Sequence, residues 1–242
     1  MLNRKIDNEI DAHFSNSKKA LFLTGARQVG KTYSIRKYAK RHGLNLIEFN
    51  FLLQPEAMDI INGAGDVKEL LLRISAYSRV PLVRSKTLIF FDEVQECPDV
   101  MTWVKALVDE GSYIYALSGS LLGVELKDIR SVPVGYMSEM QVYPMDFEEF
   151  VRAVGVPENV LDAVKKSWSE KTPVDAYIHE KMMQLFQLYI IVGGMPAAVQ
   201  TYMDSNNIQN VVKEQRDIIN LYKKDIARYD QDVRKKLYID EV

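Results

Sequence analysis

The sequence predicts an α/β domain with a mainly parallel sheet flanked by helices, followed by a smaller all-helical domain. Three observations predict it. Apolar runs such as "LIFF" at 88–91 lack polar alternation, which marks strands buried on both faces. Segments with helical spacing lie between these runs, so strand alternates with helix, and right-handed crossovers then make the sheet mostly parallel. After about residue 150 helical periodicity continues without a convincing strand. The domains are placed at 1–153 and 154–242.

In chain order, Ile6, Ile10 and Phe14 recur every fourth residue, so 4–16 reads as a helix that "SNSKK" breaks. "ALFLT" (20–24) reads as a buried strand, "TYSIRKYAKRH" (32–42) as a helix closed by Gly43, and "LNLIEFNF" (44–51) as a second strand. Helical spacing returns around "DVKELLLRISAYSR" (66–79), followed by the strand "TLIFF" (87–91) and the helix "MTWVKALVDEG" (101–111). The strands "YIYAL" (113–117) and "MSEMQVYP" (137–144) complete the sheet. Helices then run from "VPENVLDAVKKSW" (156–168), interrupted at Pro173 and at "GGMP" (193–196).

Composition narrows the function. The 242 residues are 47% hydrophobic, enough for a real core, and 31 basic against 33 acidic residues give a net charge of −2. No overall pull toward nucleic acid follows from that balance. The single cysteine, Cys97, excludes a disulfide framework and suits a reducing compartment. His13, His42 and His179 are too scattered in sequence to suggest a metal cluster. A charged N-terminus and the lack of an 18-residue apolar run argue against a leader or a membrane partner, so a cytoplasmic protein is expected.

The chemistry is concentrated in "ALFLTGARQVGKT" at 20–32, which fits G-x-x-x-x-G-K-[ST] through Gly25, Gly30, Lys31 and Thr32. Glycines let a phosphate chain approach the backbone, and the following helix offers its unpaired N–H groups and positive dipole end. Lys31 reaches the β- and γ-phosphates, and the Thr32 hydroxyl can ligate Mg²⁺. The candidate nucleotide-binding segment is Gly25, Ala26, Arg27, Gln28, Val29, Gly30, Lys31, Thr32 and Tyr33. A second signal, "TLIFFDEVQECPD", ends a strand on Asp92, a candidate metal holder, and Glu93, a candidate general base. In "YALSGS", either Ser118 or Ser120 can stand beside the γ-phosphate, or the stretch is a plain serine-glycine turn. Arg27 and Arg228 are candidate arginines for a neighbouring site, although each also reads as a solvated side chain. Trp103 and Leu107 read as core.

These stretches, with "RKIDNEI", "IEFNF", "LSGSLLG", "YPMDFEEF", "GGMPAAV" and "LYKKDIARY", occur in an order that resembles a family of prokaryotic AAA+-like P-loop ATPases. The resemblance spans nearly the whole chain. It implies an α/β ATPase domain and a helical lid-like domain, with ATP and Mg²⁺ as ligands and hydrolysis as the reaction. It carries phosphate binding to Gly30, Lys31 and Thr32, metal binding to Asp92 and base catalysis to Glu93. "GGMP" is similar to the glycine-x-proline element of signal-transducing P-loop ATPases, which implies that Pro196 touches base or ribose. As a plain reading, it breaks a helix. Where relatives commonly carry a basic residue after a glycine, this chain has Tyr136 after Gly135.

Family members usually continue into a C-terminal domain of unknown function, so a truncated chain is expected. That domain or an unidentified protein is the expected partner beside ATP and ADP, with a homo-oligomer also allowed. Two functions follow: an ATPase whose turnover drives or gates a conformational change, or a nucleotide-gated switch or scaffold with slow or no turnover. A phosphotransferase lacks a legible acceptor pocket, and GTP selectivity lacks an [NT]-K-x-D element.

Overall fold

The structure, a computed structural model, describes residues 2–120 and 135–229. They fall into two compact units, one from Ile6 to Tyr143 and one joining the N-terminal residues through Lys5 with the chain from Pro144 onward.

The first unit begins in α1 (Lys5–Asn16), whose buried Ile6 and Ile10 hold the four-residue spacing read from the sequence. There follow β1 (Ala20–Gly25), α2 (Lys31–Arg41), β2 (Asn45–Asn50), α3 (Met58–Asn62), α4 (Val67–Tyr77), β3 (Thr87–Asp92), α5 (Val100–Glu110), β4 (Ile114–Ser120) and β5 (Met137–Gln141). The five strands form one sheet in the order β2-β3-β4-β1-β5, and every pairing is parallel. The expected α/β architecture is therefore present. Every residue of β1 and β3 is buried, the reason these strands read as unbroken apolar runs.

On one face of the sheet, Phe22, Phe49, Phe91 and Leu117 pack with Ile61, Leu70, Ile74, Val104 and Leu107 from α3, α4 and α5. Trp103 packs partly buried against the same cluster. The alternate strand residues Leu21, Leu23, Leu88, Phe90 and Ala116 are also buried, and α2 packs against β1 through β4. Helix α1 is tied to α2 by a buried ion pair, Asp7–Lys37 at 2.6 Å. The short helix α3 and the 3₁₀ turn Pro55–Ala57 before it have no counterpart in the sequence reading. Their five and three residues are too few to show a helical period.

Register places the candidate residues at one edge. Gly25 pairs beside Ser120 and Asn50 beside Asp92, at the carboxyl ends of their strands, where open α/β sheets place their ligands.

The second unit contains α6 (Phe147–Ala153), α7 (Glu158–Glu170), α8 (Ala176–Val192), α9 (Pro196–Ser205) and α10 (Ile208–Tyr229). Phe150, Val151, Leu161, Val192, Ala198, Val199 and Val211 form its core with Leu2 and Met145. Helix α6, counted with the α/β domain in the division at 153/154, lies in this unit. It starts in a reciprocal capping box in which Asp146 accepts from the Glu149 N–H and Glu149 from the Asp146 N–H. Glu149 also receives the buried Arg4 guanidinium at 3.0 Å and the Lys5 N–H at 2.6 Å. Among the described residues, no single helix is long and apolar enough to cross a membrane.

Candidate functional site

The loop after β1 turns on backbone that favours glycine. Gly25 has φ 145 and Gly30 has φ 101, while Gln28 adopts φ 62. The crowding at Gly25 comes from the protein itself, since a Cβ there would lie 2.2 Å from the Val142 carbonyl oxygen. Gly30 caps α2 without any side-chain hydrogen bond, which leaves the first N–H groups of the helix to be met by something else. Val29 is fully buried and anchors the loop, Ala26 and Arg27 are half-buried, and Gln28 and Tyr33 are exposed.

Lys31 is buried and donates to the carbonyl oxygens of Gly25 at 2.9 Å and Ala26 at 2.8 Å. Its ammonium is thus curled over the loop it belongs to. Desolvation lowers its pKa, opposed by the charge of Glu93 and then by that of Asp92, so both acids act on this cation.

Asp92 is the hub. Thr32 Oγ1 donates to its Oδ2 at 3.0 Å, Asn50 Nδ2 donates to the same oxygen at 2.9 Å, and Ser118 Oγ donates to Oδ1. Burial raises the Asp92 pKa, and the Ser118 and Thr32 hydrogen bonds oppose that rise. Thr32 and Asp92, sixty residues apart in the chain, are thus brought within hydrogen-bond distance. Two oxygen donors of this kind fit Mg²⁺, which takes few protein ligands beside phosphate and water. Elsewhere among the described residues, no group of three or more His, Cys, Asp or Glu is placed to hold a metal ion.

Glu93 follows in the left-handed region, at φ 58, and heads the 3₁₀ turn Val94–Glu96. Its Oε2 accepts from Gln95 Nε2 at 2.5 Å. The two serines part company here: Ser118 is committed to Asp92, whereas the buried Ser120 Oγ has no hydrogen-bond partner among the described residues. Pro196 stands at the first position of α9, just after Gly193 has ended α8 at φ 74, so the helix-breaking reading of "GGMP" holds locally. The Arg228 side chain lies outside the described residues.

Asn50 and Gln95 escaped the sequence reading. Each is a polar residue near a strand end, a position where such residues are common. Only the register of β2 against β3 and the fold-back of the 3₁₀ turn bring them to the carboxylates.

A family model described as "AAA domain" matches residues 17–151, more than half of the chain. A second, described as "Domain of unknown function (DUF8612)", matches residues 183–240. No curated protein matches the sequence. Among solved structures, the Walker-type ATPase PABY2304 of Pyrococcus abyssi superposes with a TM-score of 0.53 at 15% identity, covering 98% of this chain and 76% of that one. Drosophila ORC, solved bound to DNA, superposes with a TM-score of 0.50 at 12% identity, covering 93% of this chain and 67% of that one. At such identities the likeness is one of fold.

Proposed function

Because the chain belongs to the AAA family of P-loop ATPase domains, we propose that its Lys31, Thr32, Asp92 and Glu93 bind ATP with Mg²⁺ and hydrolyse it, and that turnover drives or gates a conformational change. The observation that carries this reading is the Thr32–Asp92 contact at 3.0 Å, a pair of oxygen donors beside the buried Lys31. When bound, a magnesium ion supplies charge neutralisation on the phosphate oxygens.

The residues of the chain do the rest. Lys31 exchanges its loop carbonyls for the β- and γ-phosphates, and the uncapped start of α2 adds N–H donors and dipole. Thr32 and Asp92 hold the cation, and Asn50 and Ser118 fix the Asp92 carboxylate from two sides. Glu93 orients the attacking water and takes its proton on Oε1, the oxygen that no described residue donates to. Ser120, with its unpartnered hydroxyl, is the better placed of the two serines to meet the γ-phosphate. The reading places the protein in the cytoplasm, where its single buried cysteine stays reduced.

Glu93→Gln tests the assignment, because glutamine keeps the size of the side chain and loses the base. Phosphate release over many turnovers should slow by about 10²–10⁴-fold, while calorimetric affinity for ATP·Mg²⁺ stays within a few-fold. A wild-type protein that turns over no faster than this variant would replace the ATPase by the nucleotide-gated switch.

A further inference from the structure

We infer that Gln95 is a positioning residue for Glu93, tying the candidate base to the end of β4. The inference rests on the reading of Glu93 as the base. Sequence alone makes Gln95 an ordinary polar residue in a turn. In the structure its amide is spent twice, donating from Nε2 to Glu93 Oε2 at 2.5 Å and accepting on Oε1 from the Ser120 N–H at 3.3 Å. The two partners fix which way the amide faces, since a carboxylate needs a donor and an N–H needs an acceptor.

The turn that carries Gln95 is itself anchored. Val94 and Cys97, on either side, are buried in the core of the first unit. Backbone bonds from Glu96 N to Glu93 O at 3.0 Å and from Cys97 N to Val94 O at 3.1 Å close the turn around it. Glu93 sits at φ 58, where a non-glycine residue is strained, and strain of this kind persists only when the surroundings over-determine it. Immobilising a free glutamate side chain costs rotamer entropy. Gln95 makes that immobilisation part of the fold by gripping Oε2, and no described residue donates to Oε1. Its second bond goes to Ser120, whose hydroxyl is the buried, unpartnered one. One amide therefore sets the base relative to the strand end that faces the γ-phosphate in the proposed reaction.

The two bonds separate by substitution. Gln95→Met keeps length and removes both bonds. Gln95→Glu keeps an acceptor for the Ser120 N–H, cannot donate to Glu93, and sets a second carboxylate against it. Gln95→Met should lower kcat by about ten- to a hundredfold, as expected when a reacting group is misplaced by about 1 Å, with KM for ATP within about threefold. Gln95→Glu should be at least as slow. In a Glu93→Gln background, adding Gln95→Met should change kcat by less than about twofold, because the two residues act as one unit.

Wild-type kcat in Gln95→Glu would assign Gln95 to anchoring β4 alone and overturn the inference. It is overturned equally if Gln95→Met lowers the melting temperature with kcat unchanged, or if the two substitutions are fully additive. Wild-type turnover in Glu93→Gln alone would overturn the underlying reading instead, whatever the Gln95 variants show.

Discussion

Gly25 and Gly194 belong to different units and meet the same obstacle. A Cβ on Gly25 would come 2.2 Å from the Val142 carbonyl oxygen, and one on Gly194 would come 2.1 Å from that of Met145. The crowding is locked by hydrogen bonds, from Val142 N to Thr24 O and from Met145 N to Gly194 O, both 2.7 Å. Each unit also carries a buried ion pair, Asp7–Lys37 at 2.6 Å in the first and Arg4–Glu149 at 3.0 Å in the second. The glycines differ in what surrounds them. Gly25 sits in a motif whose spacing reads as a phosphate loop, which masks its steric duty, and its φ of 145 adds a backbone demand. Gly194, in the "GGMP" stretch, meets the same crowding without a positive φ. Motif membership and backbone crowding are thus separate constraints that can fall on one residue.

Four measurements break or sharpen that contrast, the largest effect first. Glu149→Ala strips the buried Arg4 of its carboxylate and deletes the capping box of α6, so it should cost about 3–5 kcal/mol in denaturant unfolding. Hydrogen exchange should place the loss in the helical unit, and an equal loss of protection in β1 and β4 would contradict the division into units. Next come the glycines. Gly25→Ala should cost about 2–4 kcal/mol, combining overpacking with φ strain, and Gly194→Ala about 1–3 kcal/mol from overpacking. Equal costs would show that φ adds nothing at Gly25.

Helix caps give smaller changes. Asp66 accepts from the Glu69 N–H at 2.8 Å and Asp175 from the Tyr177 N–H at 3.0 Å, so alanine at either should cost about 1 kcal/mol, detected as local exchange in α4 or in α8. The smallest effect is acid sensitivity. Hydrogen bonds from Lys165 and Lys5 hold the Glu148 pKa down to about 2. An unfolded glutamate takes its proton near pH 4.3, so the stabilisation is complete above that value and fades as pH falls toward about 2. Glu148→Gln should flatten this part of the pH-stability curve for the helical unit, and an unchanged curve would remove Glu148 from the account.

Much of the α/β unit was legible because buried parallel strands leave continuous apolar runs and because Gly25, Gly30, Lys31 and Thr32 are bound to a fixed spacing. Asp92 and Glu93 were legible as the acids that end such a run. What escaped depends on contacts distant in sequence. Asn50 reaches Asp92 across 42 residues, and Gln95 reaches Ser120 across 25. Ser118 and Ser120 were indistinguishable because a strand repeats every two residues, and their partners, not their spacing, separate them. The steric role of Gly194 needed Met145, 49 positions upstream.

In the strand order β2-β3-β4-β1-β5, β1 and β3 never touch by pairing, because β4 lies between them. The loop of Lys31 follows β1 and Asp92 ends β3, so both are synthesised before the strand that sets their spacing. Thr32 cannot settle 3.0 Å from Asp92 until Ile114–Ser120 has slotted in between. Such non-local closure is slow, since loop entropy is lost before any contact repays it. A nascent chain that ends before β4 therefore carries Gly25 to Thr32 and both acids, yet lacks the strand that stands between them in the sheet.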